Sequence, residues 1–181
     1  MTQKTKLIIV CLFALFLSAC SGAETSNSGP ASPSNNSAAS ETSAKAPPAD
    51  VVRVETPSVE IKAGSSGEAA VKLTIASGYH INANPPSFSY LKATELQIEP
   101  GAGITPGKPV YPSSVTRTFA FSKDPLAVYE GETAIKLPLS AAGNAQKGAQ
   151  TLKGKLRIQA CDEEACYPPR TLETSIPVTV K

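Results

Sequence analysis

Two cysteines near the C-terminal end are the residues best suited to chemistry in this sequence. Cys161 and Cys166 flank the four residues Asp162 to Ala165, and Tyr167-Pro168-Pro169 follows at once. If the chain turns here between two strands, the cysteines become cross-strand neighbours near the Cα separation of about 5.5 Å that a disulfide needs. Closing so short a loop stabilises a fold by only about 2 kcal/mol. The pair is therefore predicted to form a disulfide, and the residues alone leave a redox role and a structural role open.

Three carboxylates, those of Asp162, Glu163 and Glu164, lie between the two thiols. Nearby negative charge disfavours a thiolate, so we expect the pKa of both thiols to be raised. Such thiols attack slowly on their own. They suit a relay whose disulfide is attacked by a stronger donor and whose thiols react only when docked on the correct acceptor.

The first nineteen residues predict export. A segment with two lysines precedes an apolar run, Leu7 to Leu17, that only Cys11 interrupts. The run of about eleven residues is too short for a bilayer, which needs roughly 20, and has the form of a secretory signal. Its end, Leu17-Ser18-Ala19-Cys20, resembles a bacterial lipobox, which implies diacylglycerol on Cys20 and cleavage before it. The alternative is an ordinary signal peptide in which Cys20 is incidental.

Export leaves a single pair among the four cysteines. Cys11 is lost with the signal peptide, and Cys20 carries the lipid. Cys161 and Cys166 therefore remain together in an oxidising compartment, where disulfides persist. Ser21, rather than an aspartate, follows the lipidated cysteine, which favours the outer membrane over the inner membrane.

Composition divides the rest of the chain into a tether and a domain. Residues 20–50 are mostly Ser, Ala, Pro and Asn, which predicts a disordered tether with a reach of roughly 30 Å. Residues 51–181 are predicted to form the folded domain. Of 17 basic and 15 acidic residues, Lys4 and Lys6 fall in the signal peptide, so the remaining charges balance. This balance offers no basic stripe for nucleic acid.

From residue 51 onward, apolar and polar residues alternate in short runs separated by turn residues. This period of two is typical of half-buried strands. The runs are Val52–Val54, Val59–Ile61, Ala69–Ile75, Leu96–Ile98, Ile135–Leu139, Leu152–Ile158 and Leu172–Val180. No window shows a convincing helical period. We predict an all-β, immunoglobulin-like antiparallel β-sandwich, with a Greek-key barrel as the alternative.

Three segments together resemble a known family. They are Gln159-Ala160-Cys161 with Cys166-Tyr167-Pro168-Pro169, the upstream run Gly78 to Asn84, and Leu137-Pro138-Leu139. Residues 51–181 resemble the N-terminal periplasmic domain of the thiol:disulfide interchange protein DsbD. The resemblance implies an immunoglobulin-like fold and a cysteine pair that takes electrons from a thioredoxin-like domain. It implies that the electrons pass to thioredoxin-like periplasmic proteins, namely disulfide isomerases or cytochrome c maturation thioredoxins.

The resemblance also implies roles for individual residues. Cys166 would attack the disulfide of the acceptor, and Cys161 would resolve the mixed disulfide. A mobile aromatic loop that shields the pair would correspond to Thr118–Asp124, with Phe119 and Phe121 as the covering rings. The same correspondence places Tyr79 and His80 near the active site, while Tyr167 would help to orient Cys166.

The sequence departs from the family pattern in three respects. Four residues separate the cysteines, where well-known members have five. Ser113, Ser114 and Thr116 replace the acidic residues that usually precede the cap. The membrane-spanning conductor and the C-terminal thioredoxin-like domain are absent, so we expect a separate membrane electron conductor as a partner. The direction of electron flow stays open.

Several residues also have simpler interpretations. Phe119 and Phe121 alternate, which would also suit a strand with two core aromatics, and His80 would also suit a structural position. Cys161, Cys166 and His80 would supply only three metal ligands, so we expect neither a metal nor another cofactor. The alternative function is an immunoglobulin-like binding module whose disulfide is purely structural.

Overall fold

The computed structural model describes residues 47–181. The predicted signal peptide, the lipidated Cys20 and nearly all of the predicted tether lie outside the described residues. Within the described part the fold is all-β and contains no helix. Its strands are β1 (Val52–Glu55), β2 (Val59–Ile61), β3 (Ser66–Ile75), β4 (His80–Asn82), β5 (Glu95–Ile98), β6 (Ile104–Pro106), β7 (Val115–Arg117), β8 (Leu126–Tyr129), β9 (Glu132–Ala141), β10 (Gly148–Ile158), β11 (Ala160–Cys161) and β12 (Arg170–Val180).

The strands form three sheets of four. The first has the order β1-β3-β9-β6, the second β2-β12-β10-β5 and the third β11-β4-β8-β7. The predicted immunoglobulin-like β-sandwich is confirmed. One pair departs from the antiparallel pattern, because β2 runs parallel to β12. The apolar alternation of β2 and β12 shows which faces are buried, and it carries no information about strand direction.

The first two sheets enclose the main hydrophobic core. Alternate residues of β3 and β9 point inward from the first sheet, and alternate residues of β10 and β12 point inward from the second. The side chains that meet there include Val71, Leu73, Ile135, Leu137, Leu152, Leu156, Ile176 and Val178. Each fully buried aliphatic side chain stabilises the fold by about 1.5–3 kcal/mol relative to exposure. The alternation in the sequence is therefore the pattern of this core.

The third sheet has two different buried faces. Ile81, Tyr129 and Ala160 belong to the main core. Their neighbours along the strands point to the opposite face, as a period of two requires. On that face Leu126 and Val128 form a second, smaller cluster with Phe119, against which Phe88 and Leu91 pack. The third sheet thus carries a small apolar layer outside the sandwich.

The chain changes sheets immediately before the first cysteine. β10 ends at Ile158, and after Gln159 the two residues of β11 pair with β4 instead of with β12. The expected turn between two strands is therefore preceded by one additional short strand, β11. This change of sheet puts the cysteine loop at the edge of the third sheet.

Candidate functional site

Cys161 and Cys166 are joined by a disulfide and face each other across an antiparallel bridge, as the spacing predicts. Their Cα atoms are 3.9 Å apart, closer than the expected value of about 5.5 Å. The flanking residues make the hydrogen bonds of this turn, from Asp162 N to Ala165 O at 3.0 Å and from Tyr167 N to Ala160 O at 2.9 Å. The cysteines are therefore a non-hydrogen-bonded pair, the arrangement in which opposed Cα atoms come closest.

The two sulfur-bearing residues differ in exposure. Cys161 is 0% exposed. Cys166 is partly exposed and lines a groove of about 450 Å³, together with Tyr90, Leu91 and Phe121. An incoming thiol can therefore approach Cys166 directly, while Cys161 is covered.

Asp162 builds the loop between the cysteines. Its Oδ1 accepts hydrogen bonds from the backbone N–H groups of Glu164 and Ala165, both at 2.9 Å. Its Oδ2 accepts a hydrogen bond from the Tyr167 hydroxyl, which raises the pKa of Tyr167 to about 12. Glu163 and Glu164 are exposed to solvent. The carboxylate of Asp162 thus has a structural role in the loop. The predicted rise in the pKa of the two thiols applies to the reduced protein, because the disulfide has no thiol to titrate.

Gln159 holds the cysteine loop in place. Its Nε2 donates to Tyr167 O at 3.1 Å, and its Oε1 accepts from Asn82 Nδ2 at 3.0 Å and from Lys92 N at 2.9 Å. One side chain therefore connects the exit of the loop, strand β4 and the segment before β5. Such a residue limits the positions that Cys166 can take.

Asn82, which is fully buried, is a site residue that the sequence analysis missed. Its Nδ2, which also donates to Gln159, lies 3.3 Å from Lys92 O. The backbone carbonyl of Asn82 accepts a hydrogen bond from Thr94 Oγ1 at 2.7 Å. Asn84 continues this arrangement, since its Nδ2 donates to Thr94 O at 2.9 Å. The run Gly78 to Asn84 contained a sequence signal for this role, because asparagine is uncommon in strands and this run has one at the end of β4 and another just after it.

His80 lies on β4 directly opposite Cys161 on β11. A tight turn delivers it there, closed by a 3.1 Å bond from Tyr79 N to Ala76 O, with Gly78 at a φ of +79° that glycine tolerates best. The imidazole is only 2% exposed, and its burial lowers the pKa of His80 against the opposing pull of Glu130 and Asp162. His80, which was predicted to line the site, therefore lies next to Cys161.

The aromatic cap predicted at Thr118–Asp124 is a loop between β7 and β8. The alternative of a strand with two core aromatics is wrong, because the backbone around Phe119 and Phe121 forms a turn. Ser122 stabilises that turn with two hydrogen bonds. Its backbone N–H donates to Phe119 O at 3.1 Å, and its hydroxyl donates to Asp124 O at 2.6 Å. The antiparallel pairing of β7 with β8 ends at the pair of Arg117 and Leu126, and residues 118–125 form the loop between these two strands.

The two cap rings occupy different places. Phe119 is 5% exposed and stacks on His80, with ring centroids 4.0 Å apart and planes at 15°. Phe121 is 37% exposed, stacks on Phe119 at 5.2 Å and lines the groove that contains Cys166. The rings therefore form a layer from the buried histidine to the accessible cysteine.

The remaining predicted lining residues also lie at the site. The ring centroids of Tyr79 and Tyr167 are 6.4 Å apart. Tyr167, which follows Cys166 in the sequence, is buried. On the other side of the cap, a cleft of about 550 Å³ is lined by Tyr79, His80 and Phe119 together with Arg117 and Glu130. Arg117 and Glu130 form a bidentate ion pair at 2.7–3.1 Å, which raises the pKa of Arg117.

Among residues 47–181 there is no group of three or more His, Cys, Asp or Glu side chains placed to hold a metal ion. The same part of the chain has no helix with the length and apolar character needed to cross a membrane.

These features define an immunoglobulin-like domain that carries a disulfide at a sheet edge, with one sulfur buried beneath an aromatic loop and the other accessible. Residues 48–177 match the family described as thiol:disulfide interchange protein DsbD, N-terminal, and the chain belongs to that family. No curated protein sequence matches the chain.

One solved structure shares the fold of this chain. The N-terminal periplasmic domain of ScsB from Proteus mirabilis superposes with a TM-score of 0.51 at 14% identity, covering 75% of this chain and 49% of that one. The chain thus spans about half the length of that structure. AggA, the major subunit of aggregative adherence fimbriae type I from Escherichia coli, gives a TM-score of 0.31 at 10% identity, covering 72% of this chain and 95% of that one.

Proposed function

We propose that this protein is a lipid-anchored periplasmic thiol:disulfide interchange domain that relays electrons through Cys161 and Cys166, to or from thioredoxin-like partners. Membership of the DsbD N-terminal family supports interchange chemistry. The observation that carries the proposal is the unequal exposure of the two halves of one disulfide, with Cys161 fully buried and Cys166 open to a groove. A purely structural disulfide has no need of such asymmetry.

The asymmetry supports distinct roles for the two cysteines. In the reduced domain, the Cys166 thiolate attacks one sulfur of the partner's disulfide, forms a mixed disulfide and releases the partner's other sulfur as a thiolate. Cys161 then attacks Cys166 Sγ, re-forms the intramolecular disulfide and releases the first partner sulfur. Two electrons pass to the partner, and the two thiol protons are released. Reduction of the domain by a donor runs through the same steps in reverse.

We assign the aromatic layer the role of a shield. Phe121 lies beside Cys166 in the groove, and Phe119 anchors the loop through its stack on His80. Displacement of Phe121 widens the approach to Cys166, whereas Phe119 keeps the rest of the loop attached. We assign Tyr79 and Tyr167, whose ring centroids are 6.4 Å apart, a supporting role beside the cysteine loop.

The location and the partners are proposed from the sequence. The lipobox-like Leu17-Ser18-Ala19-Cys20 supports lipid anchoring, with Ser21 favouring the outer membrane. A separate membrane electron conductor would supply or receive the electrons, and no bound cofactor is required because both half-reactions are thiol exchange.

Trapping in cells tests the proposal. In Cys161→Ala the mixed disulfide at Cys166 cannot be resolved, so we expect a covalent complex with a thioredoxin-like protein that a reductant dissolves. Cys166→Ala is the matched control, because it also leaves one thiol but a buried one, and it should trap far less. Equal trapping by both variants, or none by either, would contradict the proposal and favour a binding module with a structural disulfide.

A further inference from the structure

His80 has the placement of a residue that serves Cys161. The two are directly opposed in the antiparallel pair of β4 and β11, so their side chains lie on the same face of the sheet, with Cβ atoms about 4.5–5.5 Å apart in such pairs. Both are almost completely buried. The ring of Phe119 stacks on one face of the imidazole. A proton leaving the Cys161 thiol therefore has little access to water.

The imidazole also has an unused hydrogen-bonding atom. His80 Nε2 is buried and has no hydrogen-bond partner among the residues that the structure describes. Buried polar atoms are nearly always satisfied, and an exception calls for an explanation. Here the disulfide offers one, because an oxidised Cys161 carries no proton to donate, whereas a reduced Cys161 does.

We propose that His80 is the general base for Cys161, an inference that rests on the proposed interchange function. When the mixed disulfide on Cys166 is resolved, the Cys161 thiol passes its proton to the neutral imidazole. The resulting thiolate attacks Cys166 Sγ, the Cys161–Cys166 bond forms, and the bond from Cys166 to the partner breaks. The electron pair of that bond leaves on the partner's sulfur, and the imidazolium gives up its proton afterwards.

The electrostatic surroundings suit this role. Burial lowers the pKa of His80, so the imidazole is neutral and able to accept a proton at neutral pH. Glu130 and Asp162 stabilise the imidazolium once it forms, and Arg117 opposes it while being paired with Glu130. Glu163 lines the same cleft as His80. The phenol of Tyr79 lines the same cleft.

A pH-jump experiment isolates the step. Reduced full-length protein is treated with dithiobis(nitrobenzoate) in acid to place thionitrobenzoate on Cys166, and the pH is then raised to values from about 6 to about 9, spanning the ordinary imidazole and thiol pKa values. Release of thionitrobenzoate reports attack by Cys161. His80→Phe keeps a ring under Phe119 and removes the base. We expect its release to be about 100-fold slower near neutral pH, the low end of general-base effects.

The pH profile separates catalysis from structure. The deficit of His80→Phe should shrink as pH rises, because hydroxide then deprotonates Cys161 without help. Lys72→Ala, an exposed change on β3, should match the wild type throughout. A deficit of the same size at every pH, no deficit, or failure of Cys161 to displace the probe would overturn the proposal. The probe needs no protein partner, so failure of the interchange function would appear separately in the trapping experiment.

A second measurement does not depend on a variant that folds. His80 is the only histidine in the sequence, so an NMR titration of the wild type follows it without ambiguity. Reduction should shift the midpoint of its titration, because the thiol of Cys161 then becomes its partner. Identical titrations in the oxidised and reduced proteins would overturn the proposal.

Discussion

The ring of Phe119 lies flat on the imidazole of His80, with centroids 4.0 Å apart. Phe119 belongs to the loop between β7 and β8, and His80 belongs to the strand that pairs with the first cysteine. This stack joins the loop to the strand that lies beside the disulfide. Loss of the stack should therefore affect both stability and access to the disulfide.

Phe119→Ala should destabilise the domain and speed the reaction of its disulfide with small reductants. The change removes a buried ring from the cluster with Leu126 and Val128, and such truncations cost about 3 kcal/mol or more. Denaturant unfolding measures the first effect, and the rate of reduction by a water-soluble phosphine measures the second. Phe121→Ala is the control, since this ring is partly exposed and its loss should speed reduction with a much smaller change in stability. Unchanged stability in Phe119→Ala would contradict the anchoring role.

Asn82→Ala should loosen the cysteine loop. The change removes the hydrogen bonds that Asn82 Nδ2 donates to Lys92 O and to Gln159 Oε1. Loss of such bonds lowers the free energy of unfolding by about 1–3 kcal/mol. We expect a lower free energy of unfolding and faster amide exchange at Tyr167 N. Gln97→Ala, an exposed change on β5, should stay within about 0.5 kcal/mol of the wild type. If both variants are equally stable, the network around Gln159 does not hold the loop.

Stability should fall in mild acid because of His80. Its pKa in the folded protein lies below the unfolded value of 6.5, so the unfolded chain binds the proton more readily. The contribution is fully present above pH 6.5 and is lost as the pH falls through the lowered pKa of the folded state. Denaturant unfolding of the wild type and of His80→Phe across this range provides the test. The difference in unfolding free energy between them should change with pH, and a constant difference would show that the histidine titrates alike in both states.

The long strands and the cysteine loop could be predicted from the sequence because their signals are local. Apolar alternation marks β3, β9, β10 and β12, and the five-position separation of Cys161 and Cys166 marks the turn. The short strands β4, β7, β8 and β11 carry no comparable period. Burial does not alternate along them, because β4 and β11 are buried throughout and β7 is exposed throughout.

The inner arrangement of the site depends on contacts between distant residues. Asn82 and Gln159 meet across 77 positions, and neither has a neighbour in sequence that reveals the contact. His80 faces Cys161 only because the chain leaves β10 at Gln159 and joins another sheet. The loop at Thr118–Asp124, in contrast, could be expected near the cysteines from family resemblance, which carries information about three-dimensional position that periodicity lacks.

The reduction potential of the Cys161–Cys166 disulfide tests the central claim most directly. The purified full-length protein is equilibrated with dithiol buffers of graded potential and with a thioredoxin-like protein, and its free thiols are then alkylated and counted. We expect a reversible transition above about −300 mV and exchange with the thioredoxin-like protein. A pair that remains oxidised below about −300 mV and exchanges with no such donor would be a structural disulfide and would contradict the proposed interchange function.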